Sequence, residues 1–89
     1  MVVYVFPRGG DESPRLGLSV SRRVGGAVVR NHVKRLLREA FAAEGDRIPA
    51  GTDVVVIARK GAAELAERDG LHGIQAALRE LIDRIAVAA

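Results

Sequence analysis

The sequence contains no cysteine and no tryptophan, and only one tyrosine and two phenylalanines among 89 residues. The absence of cysteine excludes disulfides and thiolate metal sites, and it fits a cytoplasmic protein. Apolar runs such as VVVIA at 54–58 are far shorter than the roughly 20 residues of a membrane-spanning helix. The N-terminal residues MVVYVFPRGG have no basic region before the apolar stretch, so no secretory signal is expected. The scarcity of aromatic rings argues against a sheet that binds RNA mainly by base stacking.

Positive charge is concentrated in one segment, although the net charge of the chain is only +3. Residues 15–38 contain no acidic residue, and the rest of the chain carries seven basic and eleven acidic side chains. A polyanion bound to one face would explain this polarity, and a basic surface that serves solubility is the alternative. The seven cations of the segment are Arg15, Arg22, Arg23, Arg30, Lys34, Arg35 and Arg38.

Hydrophobic periodicity predicts three strands, at residues 2–6, 15–21 and 53–59, and two helices, at 25–44 and 71–87. We expect the first two strands to pair as a hairpin, and the third, apolar on both faces, to be central. Residues 60–70 are expected to form a Gly/Ala-rich connector. These elements predict an α+β fold, a two-layer sandwich with the sheet on one side and the helices on the other. By default a parallel β-α-β unit has a right-handed crossover.

The first predicted helix divides into two faces at about 100° per residue. Four cations and Asn31 occupy an arc of about 140°, and like charges four residues apart repel by a few tenths of a kcal/mol. A bound anion would offset that repulsion, whereas an ordinary solvated face usually mixes both signs. The polar arc holds Arg30, Asn31, Lys34, Arg35 and Arg38, and the apolar arc holds Val29, Val33, Leu36, Leu37, Ala40 and Phe41.

No catalytic or metal site is predicted on the protein itself. The two histidines, His32 and His72, are far apart, and no acid/base pair is evident. The acidic residues at 64, 67 and 69 lie near the expected start of the last helix. Their negative charge there would stabilise the helix dipole, and we expect this role in preference to metal binding. The Gly25–Gly26 pair could bind one phosphate at a helix N-terminus, or it could simply permit the turn.

Residues 16–41, LGLSVSRRVGGAVVRNHVKRLLREAF, closely resemble the signature region of the bacterial ribonuclease P protein subunit. The stretch DVVVIARKGAA at 53–63 is similar to the last strand of that family. The resemblance implies one RNA-binding domain over residues 1–89, with the fold of ribosomal protein S5 domain 2 and a left-handed β-α-β crossover. It also implies a ribozyme cofactor, whose partners are the ribonuclease P RNA and precursor tRNA. In that ribonucleoprotein the RNA subunit, with Mg²⁺, removes the 5′ leader, and no membrane is involved.

The resemblance also implies functional residues by motif position. The family motif has an arginine on each side of the asparagine at position 31, and in this chain His32 replaces the one that follows it. Gly26 stands where the family usually has asparagine, so a side-chain helix cap is lost. Tyr4 and Ser19 match sheet positions that face the cleft for the leader. The implied RNA contacts are Arg22, Arg23, Arg30, Asn31, His32, Lys34, Arg35 and Arg38.

Family members carry an N-terminal helix and a short strand before the position of Val2, so this chain is expected to be N-terminally truncated relative to them. We therefore expect the sheet face to be exposed and apolar, which favours self-association. Two other functions stay open. A ribosome-associated structural protein would prefer ribosomal RNA, and a stand-alone nuclease would cut RNA without an RNA subunit.

Overall fold

The computed structural model describes residues 1–88 and the side-chain environments as far as Arg84. It contains three strands and two helices, which confirms the predicted α+β class. Short 3-10 turns at Arg22–Val24 and Gly45–Arg47 lead into and out of the first helix. In chain order the elements are β1 (Val2–Pro7), β2 (Arg15–Val20), α1 (Ala27–Glu44), β3 (Thr52–Ala58) and α2 (Lys60–Ala88).

The strand order in the sheet is β1-β3-β2, so β3 is central as predicted and the expected β1–β2 hairpin is wrong. Strand β3 pairs antiparallel with β1 and parallel with β2. The loop after β1 bonds to the turn before β3 instead of folding back on β2. The amide of Arg8 donates to the carbonyl of Gly51 at 2.6 Å, and the Gly51 amide donates to the carbonyl of Glu12 at 2.7 Å. The β2-α1-β3 unit is parallel, and its left-handed crossover stays a prediction.

The two faces of the sheet differ in burial. On β3, Val54, Val56 and Ala58 are buried, whereas Val55 and Ile57 on the opposite face are half-exposed. Half-buried Leu16 and Leu18 on β2 complete the core side. Side chains alternate along a strand, so the apolar core lies between one face of the sheet and the helices.

Helix α1 begins after Gly26, whose extended backbone serves as the N-cap, and ends at Glu44, in agreement with the prediction. Gly45 remains in the right-handed helical region instead of forming a left-handed cap, because the chain continues into the second 3-10 turn. Phe41 is half-buried. Val29 was expected on the buried face but is 42% exposed, since it lies in the first turn of the helix. The buried apolar residues of α1 are Val33, Leu36, Leu37 and Ala40.

Helix α2 begins at Lys60, so the predicted connector at 60–70 is wrong. Ala62 and Ala66 are buried four residues apart, and alanine is the strongest helix former, which explains why this segment is helical. Gly70, with a φ of 58°, breaks the helix in a conformation that glycine adopts most readily. The acidic residues at 64, 67 and 69 therefore lie within the helix, before this break.

The second part of α2 carries most of the predicted buried stripe. Ile74, Leu78 and Ile82 are buried, and Leu81 is half-buried. The remaining member of the stripe, Ile85, lies outside the residues whose side chains are described.

A buried carboxylate connects the C-terminus of α1 to α2. Glu44 is only 1% exposed. One of its oxygens accepts hydrogen bonds from Arg79 Nε at 2.9 Å and from Gln75 Nε2 at 3.2 Å, and the other accepts a bond from Arg47 Nη1 at 3.4 Å. Burial raises the pKa of Glu44, but the hydrogen bonds from Gln75 and Arg79 and the positive charge of Arg79 outweigh it, so the pKa is lowered.

Candidate nucleic-acid interface

Ion pairing distinguishes the arginines that already have a carboxylate partner from the cations of the basic segment. Six arginines each have a carboxylate oxygen within 4 Å, namely Arg8, Arg15, Arg47, Arg68, Arg79 and Arg84. In the described part of the chain, the six cations from position 22 to position 38 have no such partner. These six unpaired cations are Arg22, Arg23, Arg30, Lys34, Arg35 and Arg38.

Arg15 belongs to the paired group, although the sequence places it in the basic segment. Its guanidinium donates to Asp53 through Nε at 2.9 Å and Nη2 at 3.1 Å, and Arg8 Nε donates to the same carboxylate at 2.6 Å. The hydrogen bond from Arg15 is the main reason that the pKa of Asp53 is lowered, against the opposing effect of partial burial. The unneutralised charge therefore begins at Arg22.

Helix α1 presents its polar side chains in two rows. Arg30 and Lys34, four residues apart, are half-buried and share one side of the helix, and Lys34 lines a groove against β2. Asn31 and Arg35, also four residues apart, are exposed and form an outer row. Arg38 is exposed and follows both rows by one helical turn. The polar arc predicted from the sequence is thus a continuous surface along α1.

Two side chains of this surface have notable hydrogen-bond environments. Nη2 of Arg35 lies 3.3 Å from Nδ1 of His32, so the exposed imidazole accepts a bond when Nδ1 is unprotonated, and it orients the guanidinium. Within residues 1–84, Nε of Arg30 is the buried side-chain nitrogen without a hydrogen-bond partner. His32, which the resemblance implies as an RNA contact, thus lies beside Arg35 of the outer row.

Two pairs of neighbouring cations extend the surface at one end of the sheet. Exposed Arg22 and Arg23 form the 3-10 turn between β2 and α1. Because β2 and β3 are parallel, with Val20 opposite Ala58, the exposed Arg59 and Lys60 follow β3 at the same end of the sheet as Arg22 and Arg23. No carboxylate within the described residues pairs with either. No sequence signal connects Arg59 and Lys60 to Arg22 and Arg23, because only the pairing of the two strands brings them to the same end of the sheet.

The open face of the sheet contains the two residues predicted to face a leader cleft. Tyr4 is opposite Val55, and Ser19 is opposite Ile57, so both lie on the face away from the helices, in adjacent rows separated by β3. Tyr4 is 48% exposed and Phe6 is 53% exposed. The sheet face that was predicted to be exposed and apolar is exposed, and it carries the polar Ser19 beside its exposed aromatic rings.

A groove separates β2 from α1. Its volume is about 400 Å³, and it is lined by Leu16, Leu18, Lys34, Arg38 and Phe41. The three apolar residues are half-buried and pack against the core from its edge. In the sequence these residues belong to two separate elements, and no local pattern predicts that they share a cavity.

Two other kinds of site, a metal centre and a membrane-spanning helix, are absent from the described residues. No three His, Asp or Glu side chains among them come together as a possible metal site. His72 is exposed on α2, remote in sequence from His32. None of the described helices is both long enough and apolar enough to span a membrane.

A family model described as Ribonuclease P matches residues 1–86. This chain belongs to the ribonuclease P protein family. The ribonuclease P protein component of Bacillus pumilus is 40% identical over 79 residues, which cover 89% of this chain and 66% of the relative. The corresponding protein of Brevibacillus brevis is 42% identical over 86 residues, which cover 97% and 65%.

Solved structures of ribonuclease P proteins have the same fold as this family member. The protein from Thermotoga maritima aligns with a TM-score of 0.80 at 39% identity, over 92% of this chain and 74% of that one. The protein from Staphylococcus aureus aligns with a TM-score of 0.78 at 35% identity, over 93% and 72%. The chain spans between 54% and 66% of the length of curated relatives from three species.

Proposed function

We propose that this chain is the protein subunit of ribonuclease P, which binds the catalytic RNA and assists removal of the 5′ leader from precursor tRNA. One observation carries the proposal. Six cations between Arg22 and Arg38 have no carboxylate partner in the described part of the chain, whereas six arginines elsewhere are paired. Family membership supports RNA as the polyanion that this surface would bind.

The chemistry of the side chains suits an RNA backbone. Guanidinium groups donate two parallel hydrogen bonds to a phosphate, and Asn31 can bond to a phosphate oxygen, a ribose hydroxyl or a base edge. Phosphate contacts release condensed counterions, so the affinity should fall steeply with salt. The outer row of α1 and the basic pair Arg22–Arg23 are exposed and need no rearrangement to reach the RNA.

We assign hydrolysis and the binding of Mg²⁺ to the RNA subunit. The proposed RNA-binding surface carries cations and an amide, and the described residues bring no set of three carboxylates or imidazoles together there. Mg²⁺ prefers oxygen ligands, which RNA phosphates supply. The role of the protein is then to neutralise charge and to position the RNA.

The open sheet face is proposed to hold the single-stranded leader. Tyr4 offers an exposed ring for stacking, and Ser19 offers a hydroxyl for hydrogen bonding one row away. Beyond Tyr4 this face ends at the ion pair of Arg15 with Asp53, whose two charges compensate each other.

Precursor-tRNA cleavage by bacterial ribonuclease P RNA at limiting Mg²⁺, with and without this chain, tests the proposal. We expect the chain to stimulate cleavage, and Arg30→Ala/Arg35→Ala to abolish the stimulation. The matched control is Arg68→Ala/Arg84→Ala, which also removes two arginines, but ones that already pair with Asp69 and Glu80.

Stimulation that survives Arg30→Ala/Arg35→Ala, or an equal loss in both double variants, would contradict the proposed interface. Equal affinity for a ribosomal RNA fragment, without stimulation, would favour a ribosome-associated function instead. Cleavage by the chain without RNA subunit would favour a nuclease.

A further inference from the structure

The groove between β2 and α1 combines an apolar interior with a cationic rim. Leu16 and Leu18 project from β2, and Phe41 projects from α1, all three half-buried. Lys34 and Arg38 line the same cavity from the helix, and no carboxylate among the described residues pairs with either. Its volume of about 400 Å³ falls in the range of small-ligand pockets, about 300–1,000 Å³.

A second cleft of the molecule provides a contrast. It is lined by residues of both parts of α2 and by Met1, and its volume is about 350 Å³. Its charged residues, Glu80 and Arg84, neutralise each other at 2.8 Å. The cations at the β2–α1 groove have no such partner among the described residues, so of these two clefts it is the β2–α1 groove that is complementary to an anion.

The groove also borders a free sheet edge. Strand β2 pairs with β3 on one side, and no described strand pairs with its other side. Backbone N–H and C=O groups on that side are therefore available as donors and acceptors. A ligand in the groove can meet apolar surface, hydrogen-bonding groups and positive charge within one site.

We propose that this groove holds one unpaired nucleobase of the bound RNA. The base lies against Leu16, Leu18 and the ring of Phe41, and its flanking phosphates bond to Lys34 and Arg38. A phosphate alone would use the cations but leave the apolar interior in water, and an apolar peptide would leave both cations without an anion. This inference rests on the proposed function, and it adds a pocket for a base to a helix surface whose cations are otherwise expected to contact the RNA backbone.

Two substitutions in the groove separate a base contact from a phosphate contact. Phe41→Leu keeps an apolar side chain but removes the aromatic plane, so we expect roughly tenfold weaker binding to ribonuclease P RNA with an unchanged salt slope. Lys34→Ala removes a phosphate contact, so we expect the slope of log K against log salt to fall by roughly 0.7–0.9. The matched aromatic control is Phe6→Leu on the open sheet face, for which we expect unchanged affinity for this RNA.

The outcomes distinguish failure of the groove from failure of the proposed function. If the wild-type chain binds ribonuclease P RNA with a steep salt slope and Phe41→Leu binds it equally well, the base site is overturned and the proposed function stands. Wild-type chain that does not bind this RNA overturns both. Thermal melting of each variant verifies that it is folded.

A measurement on the unaltered chain removes the dependence on variants. Adenosine monophosphate and ribose 5-phosphate carry the same phosphate, and only the first carries a base. In NMR titrations of the wild-type chain, we expect saturable shifts of the Leu16 and Leu18 methyl groups and of the Phe41 ring with the nucleotide only. Identical responses to both probes, or no response of these groups to the nucleotide, would overturn the base site.

Discussion

The Arg79→Met substitution should destabilise the protein because it leaves a buried carboxylate poorly compensated. Glu44 is 1% exposed and loses its shortest hydrogen bond, 2.9 Å from Arg79 Nε, together with the nearest positive charge. Removing one partner of a buried ion pair costs about 3–5 kcal/mol. Arg47 and Gln75 still bond to Glu44, and Arg79 is 56% exposed, so we expect a smaller loss of about 2–3 kcal/mol. For a domain of this size that corresponds to a melting temperature lower by roughly 10–20 °C.

The destabilisation should depend on pH with a definite sign. In the unaltered protein the pKa of Glu44 is lowered, so its stabilising contribution is present above the unfolded pKa and is lost as the pH falls through the folded pKa. Without Arg79, burial dominates and should raise the pKa of Glu44 above that of the unfolded chain, about 4.3. The penalty is then largest at pH 7 and smaller near pH 4, where the buried carboxyl is protonated.

Urea unfolding of both proteins at pH 7 and pH 4 measures this effect. Arg84→Met is the matched control, because Arg84 lies on the same helix and pairs with Glu80 at an exposed site. We expect the control to change the free energy of unfolding by less than about 0.5 kcal/mol at either pH. An Arg79→Met penalty that equals that of the control, or that is the same at both pH values, would refute the reasoning.

Three further predictions follow from particular positions. Gly26→Asn should raise the free energy of unfolding by about 0.5 kcal/mol in urea denaturation, because the extended N-cap accepts any residue, has open space around it and gains a side-chain cap. Gly51→Ala should lower it by at least about 1–3 kcal/mol, since φ is +73° and the added Cβ would lie 2.6 Å from the carbonyl oxygen of Gly10. Light scattering should show an average mass of the wild-type chain that rises with concentration, and Tyr4→Ser/Phe6→Ser should remain monomeric. A strictly monomeric wild-type chain at high concentration would contradict the last prediction.

The parts of the fold that the sequence predicts correctly depend on local patterns. Helix α1 follows from the separation of its apolar and polar residues on a helical wheel, and the central position of β3 follows from its apolar character on both faces. The start of α2 could not be predicted in the same way, because Gly61 and Gly70 suggest a connector whereas buried Ala62 and Ala66 stabilise a helix. The strand order failed because it depends on pairing between segments distant in the chain.

The same distinction between local patterns and contacts of distant residues holds for the candidate site. The cationic arc of α1 is a property of one helix and was predicted residue by residue. The pairing of Arg15 with Asp53, the contact of Glu44 with Arg79 and the groove between Leu18 and Phe41 all join distant positions. A sequence pattern gives the charge of a segment, but only the fold determines which of its cations already have a partner.

The salt dependence of binding to bacterial ribonuclease P RNA tests the central claim most directly, namely that the unpaired cations of α1 contact RNA phosphates. We predict a steep linear fall of log K with log salt for the unaltered chain, and a slope reduced by roughly 1.5–2 in Arg30→Ala/Arg35→Ala. Arg68→Ala/Arg84→Ala, which removes two paired arginines, should keep the full slope. An unchanged slope in Arg30→Ala/Arg35→Ala, or an equal reduction in both double variants, would contradict the account.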